Sequence, residues 1–106
     1  MSSERRQDRR VPIDLWIEAE EGDETYFQRA ANLSVGGAYF TQTVPQKVGT
    51  QAQLKFALPG DDREIRCRGE IVSTPEKGLG MGVHFIDLAP SDRDRIEALI
   101  LKLATE

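Results

Sequence analysis

Apolar and polar residues alternate one by one along most of the chain, and this period of two predicts β-strands with one buried face. The first strand begins at Ile13, where positions 13, 15, 17 and 19 are apolar and the positions between them are mostly polar. The clearest alternation covers residues 51–58, and a longer one covers residues 65–72. Further strands are predicted for residues 26–33, 38–41 and 81–86.

Turn-forming residues separate these strands. They occur at residues 21–23, 32–37, 45–49, 59–62 and 76–80, which are rich in Gly, Pro, Asn and Asp. Short strands joined by such turns are typical of a sandwich or a barrel. We therefore expect an all-β fold, a six-stranded antiparallel β-barrel.

The hydrophobic period changes after Asp87. Apolar residues at 96, 99, 100 and 103 form one helical stripe, which predicts a C-terminal α-helix packed on one end or flank of the barrel. Pro90 suits the first turn of this helix, and Ser91 with Asp94 is expected to form a capping box.

The 106 residues suffice for one domain, and no repeat or internal boundary divides them. Residues 11–106 are therefore assigned to a single barrel domain. Residues 1–10 contain no apolar run and are expected to form a flexible, Arg-rich arm. With Cys67 as the only cysteine, no internal disulfide can form, and without a charged-then-apolar leader or an apolar span we expect a cytoplasmic protein that does not insert into membranes.

The charge is distributed unevenly along the chain. Residues 1–10 carry four arginines and two acidic residues, which leaves ten basic and sixteen acidic side chains, net −6, for residues 11–106. An acidic body argues against binding DNA or RNA, which depends on many phosphate contacts. A concentrated basic arm remains suited to one small anion.

The sequence offers little for catalysis. Ser34 and His84 are the only conceivable serine–histidine pair, and nothing marks a third, orienting residue; His84 is expected at an exposed strand position. One histidine and one cysteine do not make a zinc site of usual composition. We therefore expect no enzyme, no catalytic residue, no metal and no cofactor.

The arm contains Arg-x-x-x-Arg twice, as Arg5/Arg9 and as Arg6/Arg10. An arginine can donate two hydrogen bonds to the O6 and N7 atoms of guanine, stack on a base, or pair with phosphate. A solvated basic tail without a specific role is the alternative interpretation.

A second motif is Asn32-x-Ser34-x-x-Gly37. Short polar side chains at a strand edge can hydrogen-bond to a base and a phosphate, and glycine at Gly36 and Gly37 removes the Cβ atoms that would hold a ligand away from the backbone. Asn and Ser also make local turns with their own backbone, which is the competing interpretation.

Together the two motifs resemble the PilZ domain family of bacterial receptors for cyclic di-GMP. The Arg-x-x-x-Arg arm runs directly into the first predicted strand, and Asn32-Leu33-Ser34-Val35-Gly36-Gly37 lies between the second and third strands, as in that family. The late strand Gly80–Phe85 and the acidic start of the terminal helix are similar too, so the resemblance covers about residues 5–103.

The resemblance implies a function in signalling, with cyclic di-GMP as the ligand. It implies that the arm arginines, Arg6 and Arg10 or in the other register Arg5 and Arg9, hold guanine and phosphate. Asn32 and Ser34 would take a guanine edge and a phosphate, with Gly36 and Gly37 allowing close approach. A basic residue before the motif, Arg5, is compatible with a stacked dimer of the ligand.

Such a receptor would order its arm on binding and signal to a separate, unidentified protein partner; both a monomer and a homodimer remain open. A second hypothesis is an adaptor with the same fold that binds proteins without nucleotide. A third is a barrel that binds single-stranded nucleic acid through a positive groove, which the acidic body disfavours. Trp16 falls on the polar face of its strand, so it either packs under the helix or lies exposed at an interface.

Overall fold

A computed structural model describes residues 10–105. Within them the chain forms six strands and one helix. These are β1 (Val11–Glu21), β2 (Glu24–Ser34), β3 (Gly37–Phe40), β4 (Gln51–Ala57), β5 (Glu64–Ser73), β6 (Met81–Phe85) and α1 (Pro90–Thr105).

The strands close into one antiparallel barrel in the order β1-β2-β3-β6-β5-β4. Closure removes the free edges on which a sheet would otherwise pair with another chain. The short pairing of β1 with β4, from Glu18↔Lys55 to Glu20↔Gln53, completes the ring. The predicted six-stranded antiparallel barrel with a C-terminal helix is confirmed, whereas the arm was predicted for residues 1–10, of which residues 1–9 lie outside the described part of the chain.

The core follows the alternation of the sequence. Leu15, Ile17 and Ala19 of β1 are buried, and so are Ile65, Cys67 and Ile71 of β5. Between β1 and β2 the chain turns at Gly22 and Asp23, where Gly22 has a φ of 62°. Glycine at the first central position of a two-residue turn matches the twist of an antiparallel hairpin.

A β-bulge at Ala31 reverses the alternation of β2. Ala30 pairs with Phe40 and Asn32 pairs with Tyr39, so β2 has one residue more than β3 across this interval. Ala30 and Leu33 both face the core with no exposed surface, although they are three residues apart. Without the bulge, positions 32 and 34 would continue the inward series of Ala30. The bulge therefore places Asn32 and Ser34 on the outer face of the barrel.

The helix α1 begins at Pro90, as predicted, and packs against β1 and β2. Ile96 and Ile100 are buried in the core, and Leu99 and Leu103 pack partly against it, which confirms the apolar stripe. The predicted capping box is wrong, because Ser91 lies inside the helix after Pro90 and so is not the residue before it. Residues 10–105 contain no helix with the length and hydropathy needed to cross a bilayer.

Trp16 does not pack under the helix. Its side chain lies on the outer face of β1, opposite Arg29 of β2, and is 58% exposed. Arg29 forms a two-point ion pair with Asp14, with distances of 2.6 Å and 2.9 Å. This pair lowers the pKa of Asp14 through the hydrogen bond from Arg29. Of the two interpretations of Trp16, the buried one is wrong.

Candidate ligand-binding pocket

The outer face of the barrel carries two rows of residues that cross β2, β3, β6 and β5. The first row is Ser34, Gly37, His84 and Glu70, given by the pairs Ser34↔Gly37, Gly37↔His84 and Glu70↔His84.

The second row is Asn32, Tyr39, Gly82 and Ser73. Because neighbouring strands are roughly 5 Å apart, residues that are far apart in sequence become close neighbours across these rows.

The turn between β2 and β3 is held by the side chain of Ser34. Its hydroxyl oxygen accepts a hydrogen bond from the Gly37 backbone N–H at 3.2 Å and donates one to the Gly37 carbonyl oxygen at 3.3 Å. Ser34 is also largely buried, with 9% of its surface exposed. The local-turn role that the sequence allowed for this serine is therefore present in the structure, and its hydroxyl proton points at the backbone.

The two glycines of the turn have different roles. A Cβ atom on Gly37 would fall onto the carbonyl oxygen of Val83 in β6, so no side chain fits there. A Cβ on Gly36 would meet only the imidazole Nδ1 of His84, at 3.9 Å. Gly37 is thus required by the close approach of β3 and β6, and Gly36 leaves open space above the barrel wall.

A pocket of about 150 Å³ opens over these rows, and Glu70, at the end of the first row, does not line it. Its wall is lined by Arg10, Asn32, Ser34, Ser73 and His84 as polar side chains, and by the bare backbone of glycines 36, 37 and 82. Pockets that enclose drug-sized ligands begin at roughly 300 Å³. The described residues therefore form an open groove that would contact only part of a ligand the size of a dinucleotide.

The charge of this groove is positive. Arg10 is exposed at its rim, directly before β1, and no acidic side chain lines it within residues 10–105. This contrasts with the net charge of −6 on residues 11–106. An anion is consequently favoured at this place on an otherwise acidic surface.

Five of the residues proposed from the sequence meet in this groove, namely Arg10, Asn32, Ser34, Gly36 and Gly37. Arg5, Arg6 and Arg9 lie outside the described residues. Arg10 is the member of the arm that the structure places, and it lies on the same face of the barrel as the second motif.

The sequence reasoning missed Ser73, Gly82 and His84, which line the groove from β5 and β6. His84 was expected at an exposed strand position, which is confirmed, but not beside the two motifs. The available signal was Gly82, because a glycine inside a strand indicates a close approach of another group. A Cβ on Gly82 would lie 2.5 Å from the hydroxyl oxygen of Ser73.

Catalytic geometry is not seen at this groove. The Ser34 hydroxyl bonds to the Gly37 backbone, and within residues 10–105 no hydrogen bond joins it to His84. Burial raises the pKa of the Cys67 thiol to about 12, with further contributions from the charges of Asp87 and Asp92, so this buried thiol stays protonated at neutral pH. In the described range no three metal-ligating side chains are grouped together.

Solved structures share this fold at low sequence identity. The inhibitor of motility MotI/DgrA of Bacillus subtilis matches with a TM-score of 0.74 and 17% identity over 88% of this chain and 48% of that one. YcgR of Escherichia coli, solved in complex with cyclic di-GMP, matches with a TM-score of 0.74 and 17% identity over 92% of this chain and 45% of that one. This chain thus spans about half the length of these two proteins.

An isolated domain gives a match of similar extent. The PilZ domain of CeSA from a cellulose-synthesizing bacterium has a TM-score of 0.65 and 18% identity, covering 91% of this chain and 98% of that one. No curated protein matches the sequence. The family model for the PilZ domain matches residues 4–102, which include both motifs, the barrel and most of α1. The chain therefore belongs to the PilZ domain family.

Proposed function

We propose that this protein is a receptor for cyclic di-GMP. The observation that carries the proposal is the convergence of Arg10, Asn32 and Ser34 on a groove that no acidic side chain lines within residues 10–105, over backbone left bare by glycines. A cyclic dinucleotide has two phosphates and two guanine bases, which match a cationic fork and short polar side chains. The similarity in fold to YcgR, solved in complex with cyclic di-GMP, supports the same ligand.

The arm completes the site in this proposal. Arg10 directly precedes β1 and lines the groove. In the register Arg6/Arg10, one motif arginine is therefore at the groove, and the rest of the arm would extend over it. Arg5/Arg9 is the competing register. Because the groove is small and open, arm residues would cover the ligand and become ordered on binding. Arg5 would be available to a second, stacked nucleotide.

The output of such a receptor is a change in the barrel surface that a partner protein reads. A ligand shifts an equilibrium only as far as it contacts one state better than the other, and an arm that closes over the barrel supplies this difference. We propose that a separate protein in the cytoplasm recognises the closed form. No specific observation favours the adaptor without nucleotide, since the motif residues are all present in this sequence.

Isothermal titration of the full chain with cyclic di-GMP, with GTP as the comparison nucleotide, tests the proposal. Saturable binding of cyclic di-GMP alone is expected, and its stoichiometry separates one bound nucleotide from a stacked pair. Arg10→Ala and Arg6→Ala are each expected to weaken binding by about 1–3 kcal/mol, since a two-point guanine contact is lost. This corresponds to roughly 5- to 150-fold in Kd.

Arg66→Ala is the matched control. Arg66 is an exposed arginine on β5 that pairs with Glu64 at 3.2 Å and does not line the groove. Arg66→Ala removes the same charge as Arg10→Ala and Arg6→Ala, so a general electrostatic effect would weaken binding equally in all three variants. The absence of any binding heat at high ligand concentration would refute the receptor function and favour the adaptor.

A further inference from the structure

His84 occupies the first row of the groove, two strands away from Ser34. Gly37 lies between them and has no side chain, so the imidazole and the serine flank a strip of bare backbone roughly 10 Å wide. His84 is the single histidine of the chain and its side chain is exposed. A ligand group lying on Gly37 would therefore contact both neighbours.

The imidazole lies beside the turn that borders this strip. A Cβ placed on Gly36 would meet Nδ1 of His84 at 3.9 Å, so the ring lies beside the turn. Glu70 is directly opposite His84 on β5, yet no ion pair or hydrogen bond joins them within residues 10–105. Nδ1 of the ring is consequently available on the side of the groove.

The charged groups around the ring set its response to an anion. Glu70 lies opposite the ring on β5, and Arg10, directly before β1, lines the same groove. The paired residue on β3, Gly37, has no side chain. The turn before it consists of Val35 and Gly36 and contributes no charged group. A bound phosphate would thus be the nearest new charge on the groove side.

We propose that His84 binds the anionic part of the ligand and takes up a proton as the ligand binds, which makes affinity dependent on pH. This inference rests on the proposed function, since the anion is a phosphate of cyclic di-GMP. Imidazole changes charge near neutral pH, and a phosphate beside it favours the charged form, which donates from both nitrogens. Binding is therefore tighter at pH 6 than at pH 8.

The test is a titration of the full chain with cyclic di-GMP at pH 6 and pH 8, in two buffers with different heats of ionisation. We expect Kd to fall by about three- to tenfold between pH 8 and pH 6, because a phosphate beside the imidazole favours its charged form. The apparent enthalpy should differ between buffers, because a proton is taken up. The two imidazole ring signals in the NMR spectrum should shift on saturation.

Two variants show whether the pH dependence of binding comes from the imidazole or from the neighbouring carboxylate. His84→Gln retains a hydrogen-bond donor but does not titrate, so it should bind with a Kd that changes little with pH. Glu70→Gln should keep the pH dependence of the natural chain. If the natural chain binds but His84→Gln shows the same pH dependence, or if the ring signals do not move, the role of His84 is refuted and the receptor function stands. If the natural chain does not bind at either pH, both fail.

Discussion

The polar side chains of the groove and those on the helix side of the barrel differ in their hydrogen bonding. Along α1, Arg95 donates to Asp61 at 2.7 Å, to Asp92 at 2.7 Å and to the carbonyl oxygen of Arg63 at 2.6 Å. In the groove, Arg10, Asn32 and His84 form no side-chain hydrogen bonds within residues 10–105.

The two regions also differ in what builds them. The helix side rests on buried apolar side chains, with Ile96 fully buried and Ile100 at 3% exposure. The groove is lined mainly by glycines and polar side chains. Side chains whose hydrogen bonds are satisfied internally stabilise the fold, whereas unsatisfied ones beside bare backbone remain available to a ligand. Stability and binding should therefore respond to different substitutions.

Gly37 belongs both to the groove and to the barrel wall, so the separation between stability and binding should fail at this position. Gly37→Ala would place a methyl group on the Val83 carbonyl oxygen, and separating β3 from β6 should lower the free energy of unfolding by about 4 kcal/mol. Urea unfolding measures this loss. Gly36→Ala is the control, since its Cβ meets no atom closer than 3.9 Å; equal losses in both would contradict the assignment.

Ile96→Ala tests whether a substitution on the helix side changes stability without changing binding. Its side chain is fully buried between the helix and the barrel, so truncation should lower the free energy of unfolding by about 3 kcal/mol through lost burial and a cavity. Affinity for cyclic di-GMP, measured at a temperature where the variant remains folded, should stay within about twofold of the natural chain. Leu101→Ala, at an exposed helix position, should lower the free energy of unfolding only slightly. A large loss of affinity in Ile96→Ala would show that the two regions are coupled.

Ser34→Ala should moderately lower both the stability of the fold and the affinity for the ligand. It removes both hydrogen bonds to Gly37 and leaves a backbone N–H of the turn without this partner, which should cost about 1 kcal/mol of stability. Binding should weaken as well if the hydroxyl contacts phosphate. Thermal unfolding and titration of the same sample measure the two effects. Ser73→Ala is a suitable comparison, because Ser73 lines the groove without holding the turn. An unchanged melting temperature in Ser34→Ala would contradict the role of Ser34 in the turn.

The smallest effect is expected at Asp61. A hydrogen bond from the Arg63 backbone, and then the Arg95 side chain, holds the pKa of Asp61 below its usual value. A lowered pKa in the folded state stabilises the protein above the unfolded pKa, near 4, and this stabilisation is lost as pH falls through the folded pKa. Asp61→Asn should therefore be less stable than the natural chain at pH 7 and approach it near pH 3.

Thermal unfolding at the two pH values measures this convergence. Asp62→Asn, at the neighbouring exposed position, is the control and should show no such change. A stability difference for Asp61→Asn that is the same at pH 7 and pH 3 would refute the assignment of the pKa shift to these contacts.

The sequence by itself determined the class of fold and the motifs. The alternation at residues 51–58 and 65–72, the turn at Gly22 and the stripe of α1 all arise from neighbours in sequence, because burial on one face imposes a period of two on a strand and of 3.6 on a helix. The motif at residues 32–37 is likewise contiguous and visible without coordinates.

The tertiary structure decided which face these motifs occupy and what lies beside them. The bulge at Ala31 turns Asn32 and Ser34 outward, against the alternation that precedes it. Val83 excludes a side chain at Gly37, and His84 joins the groove, because β3 pairs with a strand more than forty residues later in the chain. Such pairings depend on the closure of the whole barrel, and no local pattern of hydrophobic residues encodes them.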